Sequence, residues 1–180
     1  LSFMMVAFAL MCSAGGATFF SLFSGQNDTD SMNRSFGNAF VMVCFFEIAL
    51  TILLLLLPDF LLNIFGVTKT SYPYAISYYK IVALGCLFQG LSMLFCDFVR
   101  VSGKPFLGMC VTAIGAVANI ALDALFIILF DWGVVGAAAA TVTGQILSAL
   151  FGACLVFGKK TQGQISKSIF HLDKRLCAQI

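Results

Sequence analysis

Polar and charged residues fall in a few short clusters along this chain, and long apolar stretches lie between the clusters. Five of these stretches run for about 20–26 residues, which is enough for an α-helix to cross a bilayer. The alternation of apolar and polar residues that marks a membrane barrel strand is absent, and a spanning backbone must satisfy its hydrogen bonds internally. The pattern therefore predicts five membrane-spanning helices, at residues 2–23, 38–57, 74–99, 105–130 and 133–157.

Composition indicates the same surroundings. Hydrophobic residues make up 61% of the 180 residues and charged residues 10%, and the mean hydropathy is +1.01. A soluble domain of this length could not bury so much apolar surface. We predict an all-α membrane protein with a helical bundle at 1–158 and a polar tail at 159–180. The sequence opens in an apolar stretch without a charged leader and cleavage site, so we expect the native chain to begin further upstream.

Basic residues concentrate on alternate connections, which sets the predicted orientation. One side carries Arg34, Arg100, Lys104 and, in the tail, Lys159, Lys160, Lys167, Lys174 and Arg175, whereas the other carries Lys69 and at most Lys80. Positive charge favours the cytoplasmic side, so we expect a multi-pass protein of the plasma membrane with this first set inside. Two glycosylation-like triplets, Asn27-Asp28-Thr29 and Asn33-Arg34-Ser35, would argue for the reverse if they were used.

The residue types that soluble enzymes rely on are scattered. Six of the seven cysteines lie within apolar helices and are interpreted as small hydrophobic side chains, and the single histidine, His171, lies in the tail. No glycine-rich phosphate loop, metal-ligand cluster or nucleophile pair is visible. We therefore predict no enzyme activity, no catalytic residue, no bound cofactor and no nucleic-acid partner.

Polar residues inside the predicted helices are the remaining candidates. Asp123 and Thr141 each lie eight positions from the ends of the short turn at Asp131 to Gly133, so an antiparallel hairpin would bring them to the same depth, with Asn119 one turn deeper. Carboxylate, amide and hydroxyl oxygens suit a desolvated Na⁺, or a carboxyl group that takes up a proton. The alternative is that these residues only satisfy one another and hold helices together. Glu47, midway along the second helix, is a competing site.

Two charged features have local interpretations. Asp97 lies three residues before Arg100 near a helix end, and this spacing predicts an ion pair between the two side chains. In the tail, apolar residues recur at helical spacing with basic residues between them, which predicts a cytoplasmic interfacial helix at 164–180 that links two lobes. The alternative for the tail is a disordered linker.

Several motifs together resemble the multidrug and toxic compound extrusion (MATE) transporters. The run GKPFLGMCVTAIGAVANIALDALFI, followed by GVVGAAAATVTGQ, is similar to a family pattern of a glycine, then N-x-x-L-D, then G-V-x-G-A-A-x-A-T. FSGQND and FVRVSGKP are similar to motifs that close earlier helices. The resemblance covers residues 10–158 and implies five of the six helices of the N-terminal transporter lobe, helices two to six.

By position, the resemblance carries over a cation site. Asn119, Asp123 and Thr141 match the family's polar residues in this lobe, and Tyr78 matches a tyrosine that joins them in some members. The acidic partner on the family's first helix lies outside this sequence. Ala124 stands where many members have proline, so their helix bend is not expected here.

The function that the resemblance implies is antiport, in which an inward Na⁺ or H⁺ gradient drives export of a drug-like organic cation. The expected partners are the bilayer, that small cation and the remaining helices of a longer transporter. A lipid-linked sugar flippase of the same superfamily is the alternative, but it would be expected to line its lumen with basic residues. An intramembrane enzyme or receptor would be expected to show paired catalytic acids or long loops.

The site hypothesis makes a geometric prediction. The Asp123 side chain should face the bundle interior, within hydrogen-bond reach of Asn119, Thr141 or Tyr78, directly or through one water. Ile120, Leu125 and Ile128 should then face lipid.

Overall fold

The computed structural model describes residues 2–158, with side chains from Val6 onward, and this part is helical throughout apart from short turns. The predicted tail helix lies outside the described residues. The helices are α1 (Ser2–Gly25), α2 (Thr29–Leu56), α3 (Pro58–Ile64), α4 (Tyr72–Val101), α5 (Pro105–Asp123), which continues as a π-helix (Ala124–Leu129), and α6 (Gly133–Phe157). Within residues 2–158, five segments are long and apolar enough to cross a membrane, which confirms the predicted number of spans.

The start of α2 differs most from the prediction. We expected the polar run before residue 38 to be a loop, but α2 begins at Thr29, and Arg34 therefore lies in a helix. Ser35 of this run faces another helix: it is buried, and its hydroxyl donates to the Gly16 carbonyl of α1 at 2.8 Å. Asp28 caps the helix by accepting from the Ser31 backbone N–H at 3.1 Å.

A short helix between α2 and α4 was also missed. α2 ends at Leu56, next to the predicted end at 57, and Pro58 then occupies the first turn of α3, where its missing N–H costs nothing. Leu62 of α3 is buried, and the Tyr72 hydroxyl donates to the Asp59 carboxylate at the start of this helix. The connection is therefore packed structure at the end of the bundle.

The helix that carries Asp123 changes form immediately after it. The helix predicted over 105–130 is confirmed as one span at Pro105–Leu129, but Ala124–Leu129 within it are π-helical although no proline is present. Five-residue spacing is visible in the bond from the Phe130 N–H to the Leu125 carbonyl at 3.1 Å. Asp131 and Gly133, both at φ +53°, then close the turn into α6.

The bundle is organised around α4, which packs against α1, α2, α5 and α6. Phenylalanines dominate the core near the end where α1 meets α2, and Phe98 lies edge-on to both Phe20 and Phe36. A second cluster, which includes Leu54 and Tyr79, fills the opposite end. Near the first end Asp97 pairs with Arg100 at 3.6 Å, as predicted, and also accepts from the Ser13 hydroxyl at 2.5 Å.

Candidate functional site

Asn119 and Thr141 meet between α5 and α6. The Asn119 Nδ2 donates to the Thr141 hydroxyl at 3.4 Å, and that hydroxyl donates in turn to the Ala137 carbonyl at 2.9 Å. The two residues predicted for one site are therefore joined directly.

Glycines on both helices allow this contact. A Cβ atom placed on Gly144 would lie 2.7 Å from the Gly115 carbonyl oxygen and 3.3 Å from the Asn119 Cβ. The backbones of α5 and α6 thus approach more closely than side chains would permit, which is the role of small residues at helix interfaces in membranes. This close packing of α5 and α6 brings Asn119 within reach of Thr141.

The register of this helix pair differs from the count made on the sequence. Thr141 pairs with Asn119, one turn deeper than Asp123, with which it was predicted to be level. The π-helix explains the difference, because it has more residues per turn than an α-helix and advances less per residue along its axis. Asp123 is therefore closer to the turn than eight α-helical residues would put it.

Asp123 is the last residue of α5 before the π-helix. Its Oδ1 is buried and has no hydrogen-bond partner among the described residues, so the predicted direct bond to Asn119, Thr141 or Tyr78 is not formed. A buried carboxylate oxygen without a partner is costly unless a ligand, proton or water satisfies it. π-Helical segments inside α-helices also occur frequently at functional sites.

The opposite side of this helix is exposed on the bundle surface. Ile120 is 70% exposed, Ile128 80% and Leu125 36%, as predicted for residues that point away from the bundle interior.

A polar cavity of about 240 Å³ opens beside the Asn119 and Thr141 pair, between α4, α5 and α6. It is lined mainly by amide and hydroxyl side chains: Gln89, Ser92, Thr112, Asn119, Thr141, Gln145 and Ser148. The Gln145 Oε1 is buried without a partner, whereas Ser148 bonds both to Ser92 and to the Val111 carbonyl at 2.6 Å. These neutral oxygens could replace part of the hydration shell of a monovalent cation.

Most of these lining residues were not predicted from the sequence. Thr141, Gln145 and Ser148 follow one another at spacings of four and three, which puts them on one face of α6, and Gln89 and Ser92 have a spacing of three on α4. Helical periodicity of the polar residues would have found this face.

Tyr78 and Glu47, the other two candidates, lie elsewhere. Tyr78 is 36% exposed and lines a separate, mainly apolar hollow with Tyr74, Tyr79 and Val134. Its link to the cation site stays a prediction. Glu47 is fully buried on α2 and is not among the residues that line the polar cavity.

Sequence comparisons with known proteins all point to one family. The family model MatE matches residues 1–125. The multidrug export protein MepA of Staphylococcus aureus (strain MSSA476) is 28% identical over 157 residues, which cover 86% of this chain and 34% of that protein. The MepA protein of Staphylococcus saprophyticus is 27% identical over 141 residues, covering 76% of this chain and 30% of that protein.

Solved structures share the fold. An inward-facing multidrug resistance MATE family transporter of the MOP superfamily matches with a TM-score of 0.91 at 23% identity, over 97% of this chain and 40% of that one. An outward-facing structure of such a transporter matches with a TM-score of 0.89 at 23% identity, over 97% and 39%. The chain thus spans about a third of the length of these curated relatives and about two fifths of these solved chains. At this identity the structural likeness establishes the fold alone.

Proposed function

Because the chain belongs to the MatE family of multi-pass membrane proteins, we propose that it forms five of the six helices in the N-terminal lobe of an antiporter. In this proposal an inward gradient of Na⁺ or H⁺ drives export of drug-like organic cations across the plasma membrane. The relatives are named as multidrug exporters and not as enzymes, which supports transport as the activity. The remaining helices of the transporter would come from the rest of a longer chain.

The observation that carries the proposal is the unpartnered oxygen of Asp123, which lies one helical turn from Asn119, a residue that lines the cavity of neutral polar groups. A proton would neutralise the carboxylate directly, and a Na⁺ ion would take its charge together with amide and hydroxyl oxygens. The cavity lining contains no basic side chain, which favours a cation over the phosphate of a lipid-linked sugar.

Coupling requires only that ion and drug prefer different conformations of the protein. The π-helix after Asp123 is a suitable element for such a difference, because its backbone hydrogen bonds depart from the α-helical pattern next to the carboxylate. The fold of this lobe resembles both an inward-facing and an outward-facing transporter, which supports a lobe that moves as a unit.

The experiment is a drug-resistance assay in a sensitive bacterial host that expresses the transporter containing this chain. We expect Asp123→Asn to abolish resistance at an unchanged protein level, because an amide cannot change charge with the coupling ion. Asn119→Ala and Thr141→Ala should each cause a smaller loss.

A matched control is available eight residues away. Asp131→Asn makes the same chemical change in the turn, where Asp131 has φ +53°, a conformation that asparagine also tolerates. It should leave resistance intact. Resistance from Asp123→Asn equal to that of the wild type would refute the proposed site.

A further inference from the structure

Glu47 lies deep in α2, far from both ends of the helix. It lies nine positions before Leu56, the last residue of α2, which corresponds to about 14 Å along the axis. Its side chain is fully buried. Val43, one turn before it, belongs to one apolar core cluster, and Leu50, one turn after it, belongs to the other. The only glutamate in the sequence therefore lies between two hydrophobic clusters, away from the polar cavity.

The space for this side chain comes from Gly90 on α4. A Cβ atom at Gly90 would lie 2.7 Å from the Glu47 Cγ, 3.1 Å from its Cδ and 3.0 Å from a Val43 methyl carbon. Any side chain at position 90 would thus collide with the glutamate. The carboxyl group is held against the α4 backbone only because residue 90 is a glycine.

No group in the described part of the chain compensates a charge on this carboxyl. Neither oxygen accepts a hydrogen bond from an N–H group or a hydroxyl, and the donor within reach is the Cys86 thiol. Thr51, one turn along α2, instead directs its hydroxyl to the backbone carbonyls of Glu47, at 2.8 Å, and Ala83, at 3.3 Å.

The surrounding helices bring only weakly acidic neighbours. The titratable groups near Glu47 are the thiols of Cys86 on α4 and Cys12 on α1, and a thiol is a weak hydrogen-bond donor that carries no positive charge. On α3, which also contacts α2, Asp59 is bonded to Tyr72. Arg34, the basic residue of α2, is thirteen positions away, about 20 Å along the axis.

An ionised carboxylate in these surroundings is far more costly than a neutral acid. We propose that Glu47 is a second proton-binding site of this lobe, which holds its proton while α2 packs against Gly90 and releases it when that contact opens. Release breaks the carboxyl O–H bond and passes the proton to water admitted by the opening, which then solvates the carboxylate. The proposal does not depend on an ion at Asp123, because it concerns the contact between α2 and α4.

The protonation state can be measured without a mutation. Glutamate labelled with ¹³C at the side-chain carboxyl reports on Glu47 alone within this sequence, and in a longer protein the Glu47→Gln variant identifies its resonance. In lipid bilayers at neutral pH, we expect the carboxyl resonance of a neutral acid, where an exposed glutamate gives that of a carboxylate. A carboxylate resonance from Glu47 at neutral pH would overturn the proposal.

The role of the helix contact is tested with two glycine variants. Gly90→Ala should push α2 away from α4 and increase the ionised fraction of Glu47 at neutral pH. Gly85→Ala is the control, because its Cβ would meet Val142 and Gln145 of α6 and not α2. Equal ionisation of Glu47 in Gly90→Ala and the wild type would contradict release through this contact. If Gly90→Ala does not fold, the resonance of the wild-type protein still decides whether Glu47 holds a proton.

Discussion

Replacing Gly144 with alanine should separate α5 from α6 and break the pair at the centre of the proposed site. The new methyl group would lie 2.7 Å from the Gly115 carbonyl oxygen, whereas ordinary contacts begin at 3.4 Å. One backbone must therefore retreat by about 0.7 Å, since the obstacle is not a side chain that could rotate away. The Asn119 to Thr141 hydrogen bond is already 3.4 Å long, so even part of this movement takes it beyond bonding distance.

The effect on stability is the balance of two opposing terms. Overpacking of this kind costs about 1–3 kcal/mol. Alanine recovers about 1 kcal/mol of helix propensity relative to glycine. We expect a net loss of about 1 kcal/mol, which lowers the melting temperature of the transporter.

The assay compares thermal unfolding of the purified variants with the drug resistance that they confer. Gly25→Ala is the matched control, because a Cβ at Gly25 has no neighbour within 4 Å. It should be at least as stable as the wild type and fully active, while Gly144→Ala should lose both stability and resistance. Wild-type stability and resistance in Gly144→Ala would refute the argument that close backbone approach holds the site together.

Three further predictions concern other parts of the chain. Hydrogen bonds from Ser31 lower the pKa of Asp28, so the cap stabilises the protein fully above the ordinary carboxyl pKa, and this contribution is lost as pH falls through the lowered pKa. Asp28→Asn should keep the cap and remove this acid sensitivity. Thermal unfolding that is as sensitive to acid in Asp28→Asn as in the wild type would contradict this prediction. Gln145→Leu removes a buried oxygen without a partner, so the variant should unfold at the same temperature as the wild type or a higher one, yet transport less. Undiminished transport in vesicles would exclude Gln145 from the ion path. A peptide of residues 164–180 should become helical on anionic vesicles by circular dichroism but not on neutral ones, and a peptide that stays unstructured on both would count against the interfacial helix.

The spans could be predicted because they depend on one property, the length of each apolar stretch. The start of α2 could not, because Ser35 belongs to a polar run that is typical of a loop, and its burial depends on the Gly16 carbonyl of another helix. A polar residue that faces a neighbouring helix looks like a loop residue until the neighbour is known.

The site was predicted in part for a related reason. Asn119 and Thr141 were identified from residue type and position, and they do meet. Their register with Asp123 was missed because an α-helical rise was assumed through Ala124–Leu129, where the chain is π-helical. Glu47 could be recognised as a buried acid, but the glycine that accommodates it lies 43 positions away on α4, and only the packing of the two helices relates them.

The most direct test of the account is ion-driven transport in proteoliposomes that contain the purified transporter. Efflux of a fluorescent organic cation is followed while either a Na⁺ gradient or a pH gradient is imposed. We expect at least one gradient to drive efflux by the wild type and neither to drive efflux by Asp123→Asn, while Asp131→Asn behaves as the wild type. Gradient-driven efflux by Asp123→Asn at the wild-type rate would contradict it.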